Sequence, residues 1–194
     1  MSFYNLSSTS SGDLAAIAQI TRDAGVNLDD CYQCGKCSAG CPLSDEMDLY
    51  PRKVIRMLQL GQVSAVLKSR APWVCATCMT CTARCPQQID IDSLMLSVRH
   101  AAKRAGLRPV READIFDDLF MAGVRRYGKS NEALLAARFN LSSGHLFQDV
   151  LNAPKMAKRG MIGPSLHKVK DRAAMRRLFG RALRTTEGEK GDGI

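Results

Sequence analysis

One cysteine run occurs twice in the sequence, and it constrains the fold more than any other feature. Both copies follow the pattern Cys-x2-Cys-x2-Cys-x3-Cys-Pro, and each position of the first lies 44 residues before its counterpart in the second. The cysteines are Cys31, Cys34, Cys37 and Cys41 in the first run and Cys75, Cys78, Cys81 and Cys85 in the second. All eight cysteines of the 194-residue chain lie in these runs. The thiol chemistry is therefore confined to residues 31–85.

The spacing within each run favours iron–sulfur clusters. The pattern is that of two-cluster bacterial ferredoxins, in which the fourth cysteine of each run ligates the other cluster. By this rule one [4Fe–4S] cluster has the ligands Cys31, Cys34, Cys37 and Cys85. The other has the ligands Cys75, Cys78, Cys81 and Cys41. The proline after each fourth cysteine fixes φ and turns the chain away from its own trio.

Two other uses of the cysteines match the sequence less well. Structural zinc sites typically combine two Cys-x2-Cys pairs, whereas each run here offers three cysteines and a fourth beside proline. A disulfide framework is typical of shorter secreted chains, and residues 1–12 lack the basic and apolar regions of a secretory signal. No run approaches the 18 apolar residues of a membrane span. The sequence therefore predicts a cytoplasmic protein without a transmembrane segment.

Helix signals surround both runs. Apolar periodicity and turn residues predict helices at 13–24, 51–60, 62–68, 90–105 and 111–127. Gly25 is expected to end the first helix, Pro51 to begin the second, and Phe116 and Phe120 to face inward on the last. Trp73 is interpreted as a core aromatic or as a shield that keeps water off a cluster. Because a compact β-ferredoxin has only a short link between its runs, the helical insert predicts an all-α scaffold.

The basic charge of the chain lies after the cysteine runs. Residues 1–100 carry 9 Lys+Arg and 9 Asp+Glu, whereas residues 101–194 carry 19 and 10, which accounts for the net charge of +9. Further helices are expected at 131–139, 145–159 and 166–184. The predicted domains are a flexible N-terminus (1–12), a cluster domain (13–128), a basic helical extension that docks a partner (129–184) and a disordered tail (185–194).

The runs and their surroundings resemble the alpha-helical ferredoxin fold, and the similarity is closest to the small iron–sulfur subunit of heterodisulfide reductase, its C subunit. The resemblance rests on Asp-Asp-Cys31-Tyr-Gln-Cys34-Gly-Lys-Cys37-Ser-Ala-Gly-Cys41-Pro, on Pro51-Arg-Lys-Val-Ile-Arg-Met and on Trp73-Val-Cys75-Ala-Thr-Cys78. It spans roughly residues 13–128. No cysteines remain for the [2Fe–2S] domain of succinate dehydrogenase subunits, and the Cys-Cys pair of the catalytic B subunit of heterodisulfide reductase is absent. The expected fold is an alpha-helical ferredoxin domain with a basic helical extension.

The resemblance implies a non-catalytic electron-transfer subunit of a hetero-oligomeric oxidoreductase complex. Its two [4Fe–4S] clusters would relay electrons between a flavoprotein partner like the A subunit of heterodisulfide reductase and a catalytic partner like its B subunit, which acts on thiols and disulfides. The sequence offers no nucleophile–base group and no Gly-rich phosphate loop, so no catalytic residue is assigned. A free-standing two-cluster ferredoxin is one alternative. A nucleic-acid-binding protein with structural clusters is another, but residues 166–184 lack interleaved aromatics, so no nucleic acid is expected.

Overall fold

The computed structural model of the chain describes residues 10–145, 155, 158, 159, 169 and 171–188, and at residues 172 and 183–188 it describes the backbone alone. The helices are α1 (Ser11–Ala24), α2 (Lys36–Ala39), α3 (Pro51–Gln59), α4 (Val63–Leu67), α5 (Ala71–Val74), α6 (Thr80–Ala83), α7 (Ile91–Arg104), α8 (Arg111–Tyr127), α9 (Glu132–Ser143) and α10 (Arg172–Gly188). Two short 3₁₀ turns lie at Leu28–Asp30 and Ser44–Glu46. No strand occurs in the described residues. The predicted all-α ferredoxin fold is confirmed.

The chain divides into two compact units, Met1–Val110 and Arg111–Ile194. The first unit contains both cysteine runs and helices α1–α7. The second unit contains α8–α10, so α8 groups with the residues that follow it. The functional domain bounds predicted from the sequence, with the cluster domain ending at Gly128, stay a prediction.

The core of the first unit forms where α7 packs against α1, α4 and α5. The helix predicted at 90–105 buries an apolar stripe, whose members are Ile91, Leu94, Met95, Val98 and Ala102. They meet apolar side chains of α1, α3 and α4, among them Ile20, Val54, Ile55, Leu58 and Val66. Burial of this apolar surface is the main favourable term in folding the unit. It fixes the helices that follow each cysteine run.

The ends of the helices follow the expected local chemistry. Ser10 and Asp13 form a capping box, so α1 begins two residues earlier than the sequence indicated. Gly25 ends α1 with a left-handed φ of 65°. Pro51 is the first residue of α3, as predicted. The Asp48 carboxylate accepts hydrogen bonds of 2.8 and 2.9 Å from two backbone N–H groups, those of Arg70 and Ala71. This contact ties the segment after the first run to the segment before the second.

The second unit packs α8 against α9 and α10. The prediction that Phe116 and Phe120 point inward is wrong, because their side chains are 44% and 38% exposed. In the described part of this unit only two helices contact α8, and they leave part of its apolar face uncovered. Phe116 instead stacks on Phe120 and meets Phe139 edge-on, with ring centroids 6.4 and 6.0 Å away. The α8 residue that is fully buried is Asp114.

The basic extension is helical where it is described. α9 continues four residues past its predicted end, and the helix predicted at 166–184 is seen at Arg172–Gly188. The predicted helix at 145–159 lies almost entirely outside the described residues, as do residues 1–9 and 189–194 of the two predicted flexible ends. Among the described helices, none is long and apolar enough to cross a membrane.

Candidate functional site

The two cysteine runs share one backbone conformation. Each run leads into a one-turn helix, α2 or α6, and the two helices lie at equivalent positions 44 residues apart. Gln33 and its counterpart Thr77 have left-handed φ values of 64° and 49°. Gly35 and its counterpart Met79 also lie in this region, at 85° and 60°. Because side chains other than glycine adopt this conformation at a cost, its repetition shows that the loops are shaped for the thiols they carry.

The burial of the thiols also repeats from one run to the next. The first and fourth cysteines of each run are partly buried (Cys31, Cys41, Cys75 and Cys85). The second cysteine is exposed in both runs (Cys34 and Cys78), and the third is buried (Cys37 and Cys81). The partly buried cysteines pack against the hydrophobic core. Each run therefore presents one sulfur to solvent and holds the other three against the protein.

The second trio of cysteines shares a cavity with the last cysteine of the first run. The cavity is lined by Cys41, Pro42, Leu43, Met47, Pro51, Cys75, Ala76, Cys78, Thr80, Cys81, Asp92 and Met95. Four thiols thus surround one space that is otherwise bounded largely by apolar side chains. Asp92 and Met95 reach it from the first turns of α7.

The first trio is grouped around Cys37. Burial is the main cause that raises the pKa of the Cys37 thiol, and the charges of Cys31 and Cys34 raise it further. The two runs lie side by side, because α2 contacts α6. A methyl group built on Gly40 would lie only 2.6 Å from the Arg84 side chain. The assignment of Cys85 to the first trio stays a prediction.

The thiol pKa values show what the protein environment does to each ligand. Burial raises the pKa of Cys75, and it raises that of Cys81 to about 11. At the exposed Cys78, hydrogen bonding with the Thr80 hydroxyl, 3.4 Å away, lowers the thiol pKa. Cluster ligands must be thiolates. The buried thiols therefore favour deprotonation only when positive charge, such as that of iron, is bound beside them.

The donor set fits an iron–sulfur cubane better than a single metal ion. Among the described residues, no three His, Cys, Asp or Glu side chains converge closely enough to hold one ion. The four thiols instead line the wall of a shared cavity. A cubane is larger than one ion and takes one thiolate at each of its four irons. This arrangement of sulfur around a space is what such a group requires.

Several polar side chains that sequence reasoning did not single out lie against the thiols. The Gln33 side-chain amide donates to Cys31 Sγ over 3.4 Å, and Arg99 donates to the Cys75 carbonyl oxygen over 3.4 Å. Comparing the runs position by position would have drawn attention to Gln33, but Arg99 lies outside the runs and only packing brings it there.

Trp73 is buried beside the second run. Its side chain is 4% exposed, and its indole N–H has no hydrogen-bond partner in the described part of the chain. The Arg99 guanidinium lies 5.6 Å from the ring centroid, within range of a cation–π interaction. The core position fits the simpler of the two roles predicted for Trp73. The shielding role stays a prediction.

A second cavity lies in the other unit, between α8 and α10. Its volume is about 730 Å³, and it is lined by Asp118, Met121, Ala122, Arg125, Arg126, Arg176, Phe179 and Gly180. Its lining contains no cysteine and no histidine. Three arginines border an apolar floor, which is a surface suited to an acidic partner. The cavity whose lining residues can bind a cluster is the smaller one, which four cysteines line.

Comparison with known proteins identifies the cysteine region. Residues 27–89 match the family model described as a 4Fe-4S dicluster domain. The chain is 38% identical over 81 residues to the iron-sulfur C subunit of the CoB–CoM heterodisulfide reductase of Methanopyrus kandleri, covering 42% of each chain. It is 35% identical over 94 residues to the C subunit of the ferredoxin:CoB-CoM heterodisulfide reductase of Methanosarcina mazei, covering 48% of this chain and 58% of that protein.

A third relative comes from another archaeon. A protein of Archaeoglobus profundus, described as similar to the C subunit of heterodisulfide reductase, is 34% identical over 85 residues, covering 43% of this chain and 45% of that protein. The chain spans about half the length of the curated relatives it matches. The dicluster domain and the eight cysteines establish two [4Fe–4S] clusters as the cofactors.

Proposed function

The cluster region of this chain belongs to the family of heterodisulfide reductase C subunits, and from that premise we propose that the chain relays electrons within a heterodisulfide reductase-like complex. When bound, each [4Fe–4S] cluster takes up and gives up one electron. The chain itself contributes no catalytic group to this proposal. Its residues hold the clusters, exclude water from most of the ligands and set the potentials.

The observation that carries the relay is that each run has one exposed thiol. Cys34 and Cys78 are exposed, whereas the cysteines beside them in the sequence pattern are partly or fully buried. Electron transfer between proteins requires a close approach of the two redox groups. The exposed ligand of one run can mark the place where an electron enters, and the exposed ligand of the other run the place where it leaves. A chain with one exposed ligand at each of two clusters is suited to a position between two partner proteins.

The crossed ligand assignment is part of the same proposal. Cys41 lines the cavity of Cys75, Cys78 and Cys81, which supports its role as the fourth ligand of that cluster. By the symmetry of the two runs, Cys85 is then the fourth ligand beside Cys31, Cys34 and Cys37. Crossed ligands would hold the two clusters close together, as a relay requires.

The proposed partners are a flavoprotein like the A subunit of heterodisulfide reductase and a catalytic protein like its B subunit, one beside each cluster. The arginine-lined cavity between α8 and α10 supports a docking role for the basic extension. Thiolate ligands are suited to a reducing compartment, so the proposed location is the cytoplasm. Electrons would pass through this chain while bond-making takes place on the catalytic partner.

Co-purification tests the proposed relay. The full chain, tagged and isolated anaerobically from its native cells, should bring down stoichiometric amounts of a flavin-containing protein and of a cysteine-rich protein. In the isolated complex, reduction of the flavin should lead to reduction of both clusters. Serine substitution of Cys34 or Cys78 at the exposed edges should slow that transfer. Isolation of the chain as a stable monomer with full iron would instead indicate a free-standing ferredoxin.

A further inference from the structure

The segment that leads into the first run is held by a neutral side chain. The Gln59 amide, at the end of α3, donates hydrogen bonds of 2.8 and 3.1 Å to the carbonyl oxygens of Leu28 and Cys31. Leu28 is the first residue of the 3₁₀ turn Leu28–Asp30, and Cys31, the first cysteine ligand, caps the end of that turn. The helix after the run thus fixes the backbone before it.

The equivalent segment of the second run is held by a cation. Arg99 of α7 donates from Nε to the Pro72 carbonyl oxygen over 2.9 Å, and from Nη2 to the Cys75 carbonyl oxygen over 3.4 Å. Pro72 and Cys75 are the counterparts, 44 residues later, of the two residues that Gln59 holds. The same two carbonyls are therefore clamped in both halves, by an amide in one and by a guanidinium in the other.

The difference between the two clamps is charge. Gln59 is neutral, whereas a guanidinium stays positive at every accessible pH. Because Gln59 performs the mechanical task without charge, the charge of Arg99 is not required for clamping. Arg99 is partly buried, donates a further bond of 3.0 Å to the Trp73 carbonyl oxygen and lies over the buried Trp73 ring. A cation held in this way is screened less by solvent than an exposed one.

We propose that Arg99 is a potential-setting residue, which makes the cluster held through Cys75 easier to reduce than the cluster held through Cys31. Reduction adds negative charge to a cluster, so a fixed cation nearby stabilises the reduced form and raises the reduction potential. The electron would then rest preferentially on the cluster of the second run. The difference between Gln59 and Arg99 thus gives electron transfer between the two similar runs a preferred direction.

One acidic side chain near the second run acts in the opposite sense. Asp92 lines the cavity and lies two turns before Arg99 on the same face of α7. Its carboxylate disfavours the reduced cluster. Arg99 lies beside the ligand itself, because its Nη2 atom is 3.4 Å from the Cys75 carbonyl oxygen.

The cations near the first run differ in exposure. Lys36, Arg52 and Arg56 are all exposed, so their charges are screened by water and salt. Arg56 also donates to the Gln59 side-chain oxygen over 3.3 Å, which leaves the Gln59 amide free to hold the two carbonyls. The inference rests on the two clusters alone and goes beyond the proposed relay, since it requires no partner protein.

The experiment is a redox titration of the full chain, monitored anaerobically by electron paramagnetic resonance. A Cys78→Ser variant first identifies the signal of the second-run cluster. In Arg99→Gln, which imitates Gln59, the ratio of reduced to oxidised second-run cluster at a fixed potential should fall about tenfold, equal to about 59 mV for one electron. Arg99→Lys keeps the charge and should shift the ratio much less. Asp92→Asn should raise the ratio.

Two further variants complete the test. Arg104→Gln removes an exposed cation from the same helix, where it pairs with Asp23 over 3.0 Å, and should change the ratio less than about twofold. Gln59→Lys should raise the reduced fraction of the first-run cluster. An unchanged second-run cluster in Arg99→Gln would overturn the proposal. Loss of about four irons in both Arg99→Gln and Arg99→Lys would also overturn it, because the side chain would then be a structural clamp only.

Discussion

At the scale of the residue, the two runs treat equivalent thiols alike. Cys37 and Cys81, the third cysteines, are only 7% and 9% exposed. Their burial raises both thiol pKa values. The exposed Cys78 has a lowered pKa because the Thr80 hydroxyl is beside it. Buried ligands give the clusters a dry environment, and exposed ligands give them a route to partners.

Replacement of Cys85 by serine tests the crossed ligand assignment. The variant should perturb the cluster signal that Cys34→Ser also perturbs, and it should leave the signal affected by Cys78→Ser unchanged. The physical reason is that Cys85 completes the first trio and has no ligand role in the second. Electron paramagnetic resonance of the reduced variants measures this. If Cys85→Ser and Cys78→Ser alter the same signal, each run binds its own cluster.

At the scale of the element, the cysteine loops depend on left-handed residues. Gly35 occupies such a position without cost, whereas its counterpart Met79 carries a side chain that is 57% exposed. In this conformation a residue with a side chain is less stable than glycine by about 1–2 kcal/mol. The second loop therefore contains backbone strain that the first avoids, and the surrounding packing maintains it.

Substitutions at these two positions should have opposite effects on stability. Gly35→Ala should destabilise the holo-protein by about 1–2 kcal/mol, since φ is 85° and the nearest side-chain atom, on Arg52, is at an ordinary 3.7 Å. Met79→Gly should leave stability unchanged or raise it by up to about 1 kcal/mol. Anaerobic thermal unfolding, with iron content checked in parallel, measures both. Equal melting temperatures of Gly35→Ala and wild type would show that the loop tolerates another φ.

At the scale of the whole molecule, chemistry and charge lie in different parts of the chain. Both cysteine runs lie in Met1–Val110, while the excess of basic residues follows residue 100. The exposed phenylalanines of α8 and the arginine-lined cavity lie in Arg111–Ile194. This division suits a chain in which one part carries clusters and the other contacts a partner.

The iron content of the full chain tests the two-cluster site as a whole. Anaerobically purified protein should contain about eight irons and eight acid-labile sulfides, because two cubanes each contain four of both. Colorimetric iron and sulfide assays on the same sample measure this. About four irons would show that one run binds no cubane. About one zinc per chain together with about four irons would show that the two sites hold different metals.

The sequence determined the cofactors and the helical scaffold, because cysteine spacing, caps and apolar periodicity are local properties. Neighbouring residues were enough to predict three features: the spacing of the cysteines from Cys31 to Cys85, the end of α1 at Gly25 and the start of α3 at Pro51. Tertiary structure alone decided which distant groups meet. It placed Arg99 against Cys75, and it left Phe116 exposed. Such contacts depend on how helices pack, which no local pattern specifies.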